Sequence, residues 1–182
     1  MSAFAPNILG LDVGARQIGV SIQRNEELVF YAVKSIKQNS KTETLKRLQN
    51  VLEALIAKYD IEVIAVEKSV YPQQQNSFVK IVYQATKDFA LQRNIRLFEY
   101  HPNLIRQIIC QMKKPTKYNT ALILAQRYTE LARYFNVPKL WQKRYFAQLF
   151  DAIAVGLVCA RELRETKQLS AQSPNDKKKG KA

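Results

Sequence analysis

The sequence predicts an α/β fold: a five-stranded mixed sheet in which a three-stranded antiparallel meander is joined by two parallel strands and flanked by helices. Three observations carry this reading. Residues 7–22, NILGLDVGARQIGVSI, are two apolar runs broken at Gly14, Ala15 and Arg16, the pattern of a hairpin. Residues 28–36, LVFYAVKSI, are rich in β-branched and aromatic side chains and supply a third strand. Leu45, Leu48, Leu52, Leu55 and Ile56 then repeat at helical spacing and lead into IEVIAVE at 61–67. A strand, a helix and a further strand make a crossover, so this fourth strand should lie parallel to its neighbour.

The elements follow in order. The first helix starts behind Thr42 and ends near Tyr59 and Asp60. YPQQQN at 71–76 is a loop. Ser77 to Arg93 is a helix with apolar residues on more than one stripe, so it must bury two faces, against the sheet and against either a second subunit or Leu122 and Ile123. Ile95 to Tyr100 is the fifth strand, His101 a loop residue, and Asn103 to about Met112 a helix. KKPTKYN at 113–119 is a basic loop, Thr120 to Phe135 a helix, and 136–143 irregular. The closing helix runs from near Ala147 to about Glu165. Residues 1–165 thus form one domain, and 166–182, with net charge +4, read as a disordered basic tail.

Composition narrows the function. The 182 residues carry a formal charge of +14, and from His101 to Phe146 nine basic residues face one acid, Glu130. Such a block, interleaved with Tyr118, Tyr128, Tyr134, Trp141 and Tyr145, suits nucleic acid. Cys110 and Cys159 lie far apart inside apolar runs, which points to buried thiols in a reducing compartment. The N-terminus lacks a signal pattern and no apolar run reaches membrane-spanning length, so a cytoplasmic, nucleoid-associated protein with no membrane partner is expected.

Three isolated carboxylates stand in apolar settings: Asp12 in the first strand, Glu67 at the end of the fourth, and Asp151 as the only charge between Phe146 and Ala160. Taken singly, Asp12 also suits a turn-capping acid and Asp151 a helix N-cap. Asp12 and Glu67, however, each sit near the carboxyl end of a strand, where α/β sheets place their ligand sites. Gly10, Gly14 and Gly19 crowd around Asp12, as they would if a phosphate or hydrated metal approached the backbone. Oxygen donors without a His or Cys cluster suit Mg²⁺ or Mn²⁺, two per site, which activate water and stabilise the leaving oxygen of a phosphodiester. Acids and basic face together read as a metal-dependent nuclease.

The segments ILGLDVGARQIGVSI, IAVEKSVYPQQQN and QLFDAIAVGLVCA resemble the three acidic motifs of RuvC-type Holliday-junction resolvases, over residues 7–162. The resemblance implies a ribonuclease H-like fold and a crossover junction endodeoxyribonuclease that resolves four-way DNA junctions by symmetric paired nicks in recombination and repair. It implies a homodimer working with branch-migration machinery. It also implies that Asp12, Glu67 and Asp151 hold the metals and that Lys117 completes the catalytic set at the scissile phosphate. Arg106 would grip the backbone, with Lys113, Lys114, Lys143 and Arg144 as further nucleic-acid contacts.

The chain departs from the family pattern at four places. Gln148 replaces an acid or histidine one helical turn before Asp151, leaving a weaker metal donor. Val70 stands where an aromatic is usual, with Tyr71 next to it as the base-stacking substitute. Asn76 follows Glu67 at a longer interval, and CQMKKPT replaces a glycine-rich stretch. Three other readings compete. A nuclease of structured or pre-ribosomal RNA shares the first motif, an inactive junction-binding module would keep the fold and lose the chemistry, and an actin-like sugar kinase would need a second domain.

Overall fold

The computed structural model describes residues 5–68 and 77–172. Five strands form one sheet: β1 (Asn7–Val13), β2 (Gln17–Arg24), β3 (Glu27–Ser35), β4 (Ile61–Glu67) and β5 (Arg96–Tyr100), in spatial order β3-β2-β1-β4-β5. β1 pairs antiparallel with β2 and β2 with β3, while β4 runs parallel to both β1 and β5. The meander and the parallel pair are therefore as the sequence predicts. Asn25 and Glu26 turn β2 into β3 with φ of 50° and 66°, the two positive values that a tight hairpin turn of right-handed twist requires.

Alternation along β1 divides the core into two layers. Leu9, Leu11 and Val13 face one side with Ile64 and Val66, under α1 (Lys41–Tyr59) and α2 (Ser77–Gln92). Ile8 faces the other with Val63 and Ala65, under α3 (Pro102–Cys110), α4 (Lys117–Arg127) and the last helix. Asp12 and Glu67 share the parity of this second side. Ile61, expected on the same row as Glu67, belongs to the first layer, because the β1–β4 register shifts between Asn7 and Ile8.

Helix boundaries moved where capping chemistry overrode periodicity. Ser40 caps α1 through a reciprocal box with Glu43, ahead of the expected Thr42, and Asp60 ends it in a left-handed conformation. His101 is not a plain loop residue: its ring Nδ1 accepts from the Asn103 amide at 3.3 Å and caps α3. Thr116 caps α4 with Asn119, so the expected basic loop already becomes helix at Lys117. The expected single helix from 120 to 135 breaks at Tyr128, whose hydroxyl donates to the Glu26 carbonyl at 2.6 Å; a 3-10 turn (Thr129–Leu131) and the short helix α5 (Ala132–Phe135) follow.

The last helix, α6, spans Leu140–Gln172. It begins just after Pro138, a natural start signal, and residues 166–172 extend it where a tail was expected, since no glycine or proline intervenes before Pro174. The remaining residues of that tail lie outside the described ones. α6 lies directly on β1 and β2. A Cβ at Gly10 would stand 2.3 Å from the Ala152 carbonyl oxygen, and one at Gly19 1.9 Å from that of Gln148. Gly10 and Gly19 thus admit a helix backbone, where the sequence suggested a phosphate or metal, while Gly14 makes room for the Gln148 side chain. Ser21 Oγ and Gln23 Nε2 donate to the Ala152 and Ile153 carbonyls at 2.8 Å, fixing α6 on the sheet.

Candidate active site

The sheet and α6 together position the acids. Asp12 is the next-to-last residue of β1, Glu67 closes the parallel strand β4 beside it, and α6 carries Asp151 across both. Asp151 is 6% exposed and lies well inside α6, which rules out the N-cap role. Lys117, at the first turn of α4, forms an ion pair with Asp151 Oδ2. Gln148, one turn before Asp151, lies beside Asp12 and donates its Nε2 to the Gln17 carbonyl at 3.5 Å, while its Oε1 is buried with no partner among the described residues.

Electrostatics tie these side chains into one site. Burial, then Asp151 and Glu67, push the Asp12 carboxyl well above the usual range, against Lys117 and the Gln148 amide. Burial and Asp151 push Glu67 up to about 7, with Lys117 and Arg106 opposing. Burial alone would lower the Lys117 ammonium, but Asp151 and the other two acids hold it above its usual value. The acids around it thus favour the charged form of Lys117.

Such a set of acids is under-neutralised. Among the described residues Lys117 pairs with one of the three carboxylates and only Arg106 besides reaches Glu67, and an amide oxygen beside them is unsatisfied. Among the described residues no three His, Cys, Asp or Glu side chains close into a cage able to hold a metal by themselves. Carboxylates and an amide oxygen are hard oxygen donors, the kind that a hydrated Mg²⁺-type ion takes beside its waters and a substrate phosphate. The residues fit such an ion.

Of the predicted nucleic-acid contacts, Arg106 on α3 reaches the site's field through Glu67, and its Nη1 also donates to Asn103 Oδ1 at 3.3 Å. Lys113 and Lys114 are exposed in the α3–α4 loop, and Lys143 and Arg144 are exposed on the first turns of α6. Tyr71, together with Val70 and Asn76, lies outside the described residues. Two members of the basic-aromatic block are engaged within the fold: Tyr128 is buried, and Arg127 pairs with Glu26 at 2.8 Å. Sequence reasoning missed a cavity of about 500 Å³ that Lys117 and Asp151 share with Tyr118, Tyr134, Phe135 and Phe150. Its one legible sign is the aromatic pair Tyr134-Phe135 inside a basic, polar stretch.

A family model described as crossover junction endodeoxyribonuclease RuvC matches residues 8–159, a span that runs from β1 through Asp151. The chain belongs to the RuvC family. Membership makes it a junction-resolving endodeoxyribonuclease, and nucleases of this family depend on divalent metal. Solved structures agree on the fold. Thermus thermophilus RuvC in complex with a Holliday junction substrate is 19% identical, with a TM-score of 0.70, covering 88% of this chain and 96% of that one. A second T. thermophilus RuvC structure gives 19% identity and a TM-score of 0.68, with coverage of 88% and 96%. The yeast mitochondrial Holliday junction resolvase Ydc2 is 15% identical, with a TM-score of 0.63, covering 94% of this chain and 86% of that one. No curated protein sequence matches significantly.

Proposed function

We propose that this RuvC-family chain resolves four-way DNA junctions by Mg²⁺-dependent, symmetric paired nicks, with Asp12, Glu67 and Asp151 as the ligands of two divalent ions. The observation that carries the reading is the cluster itself: two carboxylates displaced upward by burial and by their acidic neighbours, a third beside them, and one lysine among them. A binding module gains nothing from burying mutually repelling acids next to a phosphate path. Bound there, the ions would activate the attacking water and stabilise the leaving oxygen, with Mn²⁺ an alternative.

The chain's own residues do the rest. Gln148, beside Asp12, would offer its free amide oxygen to a hydrated ion held there. Lys117, permanently charged, exchanges its Asp151 contact for a non-bridging phosphate oxygen when DNA enters. Arg106 holds the backbone beside Glu67, and Lys113, Lys114, Lys143, Arg144 and Tyr71 extend the track. Contacts of this kind position a backbone and select a junction by shape.

Symmetric nicking requires two sites, hence a homodimer. Leu122 and Ile123 do not cover the outer face of α2, because Ile123 packs in the opposite core layer. Ile81 and Leu91 on α2 remain 43% and 77% exposed and suit a subunit contact. Branch-migration machinery would be a further partner. The test is a synthetic four-way junction, a matched duplex and a structured RNA, each with Mg²⁺ and with chelator. Paired nicks symmetric about the crossover, absent with chelator, are expected; cutting of RNA alone, or binding without cutting, contradicts the proposal.

A further inference from the structure

The sheet is open along β3. This strand ends the sheet, and among the described residues no strand or backbone group pairs with its outer side. Exposed edges are commonly blunted by a proline, an inward charge or a covering segment. Here a bulge leaves Val29 unpaired near the start of β3, but residues 30–35 pair regularly with β2 and contain no proline. Beside this edge α1 leaves a groove. One half, of about 300 Å³, is floored by Phe30, Val51, Leu55 and Tyr59, with the Phe30 and Tyr59 rings 5.3 Å apart. The other, of about 440 Å³, opens beside Ser35 and Lys46. Both include Arg47 and Asn50, so they form one channel along the strand. Lys34, Lys46, Arg47 and Lys58 line it, none of them in an ion pair among the described residues. Its one acid, Glu43, is engaged in the α1 cap, accepting from the Ser40 amide at 3.2 Å.

A free strand edge, an apolar floor and four uncompensated cations are complementary to an extended chain of negative charge. We propose that a partner protein docks here by laying an acidic segment along β3 as a sixth strand. Its side chains on the α1 side are apolar over Phe30 and Tyr59 and acidic beside Lys34 and Arg47; main-chain hydrogen bonds supply affinity and these side chains specificity. This chain does not supply the segment itself. Residues 1–4, 69–76 and 173–182, outside the described ones, hold one acid, Asp176, against four lysines. A second copy offering its own β3 would bring one basic groove against another. A phosphate backbone would meet the cations but leave the floor and the strand edge unused. In the sheet register Asp12 lies opposite Gly19 and Gly19 opposite Val33, so the edge is two strands, about 10 Å, from the acids. The groove belongs to the core layer under α1, not to the acids' side of the sheet. A docked partner is thus held next to the cutting centre without closing it.

The test titrates the full-length protein with a fluorescent peptide that has threonine at every second position and two valines followed by two glutamates between, made in both orders. One order should bind saturably. Lysine in place of glutamate should weaken binding roughly tenfold or more, and so should N-methylation of alternate amides. On the protein, Lys46→Glu with Arg47→Glu, both exposed, should weaken it by a similar factor, and Ala54→Trp should do so by filling the channel. Bound peptide should slow hydrogen exchange of amides within residues 30–35. Failure of both orders to bind, or binding indifferent to N-methylation or to both variants, overturns the proposal. Cutting of a four-way junction by these variants should match wild type. A junction that loses affinity for the charge-reversed variant, with no peptide bound by the wild type, would make the groove a DNA track; that overturns the docking proposal and leaves the nuclease reading standing.

Discussion

Gln148 is the residue on which this site differs most from its family's pattern, and its surroundings say what that costs. Its amide lies beside Asp12 and donates to the Gln17 carbonyl, but its oxygen is buried without a partner among the described residues. A carboxylate there would add a negative donor to an already repelling set, so it would help only with metal present. Gln148→Asp should therefore shift the Mg²⁺ titration of cutting to lower concentration by several-fold while lowering the metal-free melting temperature; an unchanged titration would mean that the side chain has no part in holding metal. The pH behaviour follows from the same repulsion. Glu67 has its folded pKa raised to about 7 from an ordinary 4.5, so the folded state binds the extra proton. Its stabilising protonation is complete below pH 4.5 and lost as pH rises through 7. Melting of the metal-free protein should accordingly fall across that window, and Glu67→Gln should flatten the fall. A wild-type profile that rises with pH would contradict the assignment. Asp12, Glu67 and Asp151 are legible in the sequence because each is a charge in an apolar run, whereas Lys117, one of nine cations in its block, stands out only through the resemblance to the family's basic motif. The orphaned oxygen of Gln148 is not legible there, because only the packed helix reveals it.

At the scale of elements, α6 decides whether the acids meet. It approaches β1 and β2 so closely that Gly10 and Gly19 have no room for a side chain. Gly19→Ala would drive a methyl into the Gln148 carbonyl, displacing the turn that carries both Gln148 and Asp151. A loss of about 1–3 kcal/mol in stability is expected, as for overpacked cores, together with a fall in cutting larger than the fall in junction binding. Equal falls in cutting and binding would indicate general unfolding. The clustering of glycines was visible in the sequence, but not its reason, since a close approach by a helix and one by a ligand leave the same mark. Strand order was legible because period-two alternation and a crossover leave little choice. The helix ends were less so. Thr116 and Ser40 act as caps through local hydrogen bonds that apolar periodicity does not register, and Tyr128 breaks its helix through a contact with Glu26, far away in sequence.

Over the whole molecule, the end of the domain remote from the acids is held by one charge. Glu26, 7% exposed, meets Arg127 at 2.8 Å from α4 and Arg161 at 3.3 Å from α6, and pairs with Arg164 as well. Its neutral variant Glu26→Gln would leave three guanidinium groups facing one another. These arginines retain solvent contact, so a loss of about 1–3 kcal/mol is expected by chemical denaturation, with the metal dependence of cutting unchanged. A larger loss of cutting than of stability would tie this end to the site. The charge of +14 makes binding as a whole salt-sensitive, and that part of the function is legible from composition alone. What composition does not give is which cations face DNA: Arg127 pairs with Glu26 inside the fold.

The central claim is that Asp151, with Asp12 and Glu67, holds the metal while other residues hold the junction. It is tested most directly by measuring cutting and binding of a four-way junction side by side for the wild type and Asp151→Asn across a Mg²⁺ titration. Cutting should fall by roughly a hundredfold or more at every concentration, with binding within a few-fold of wild type. Cutting that survives intact, or binding lost in step with it, would contradict the assignment.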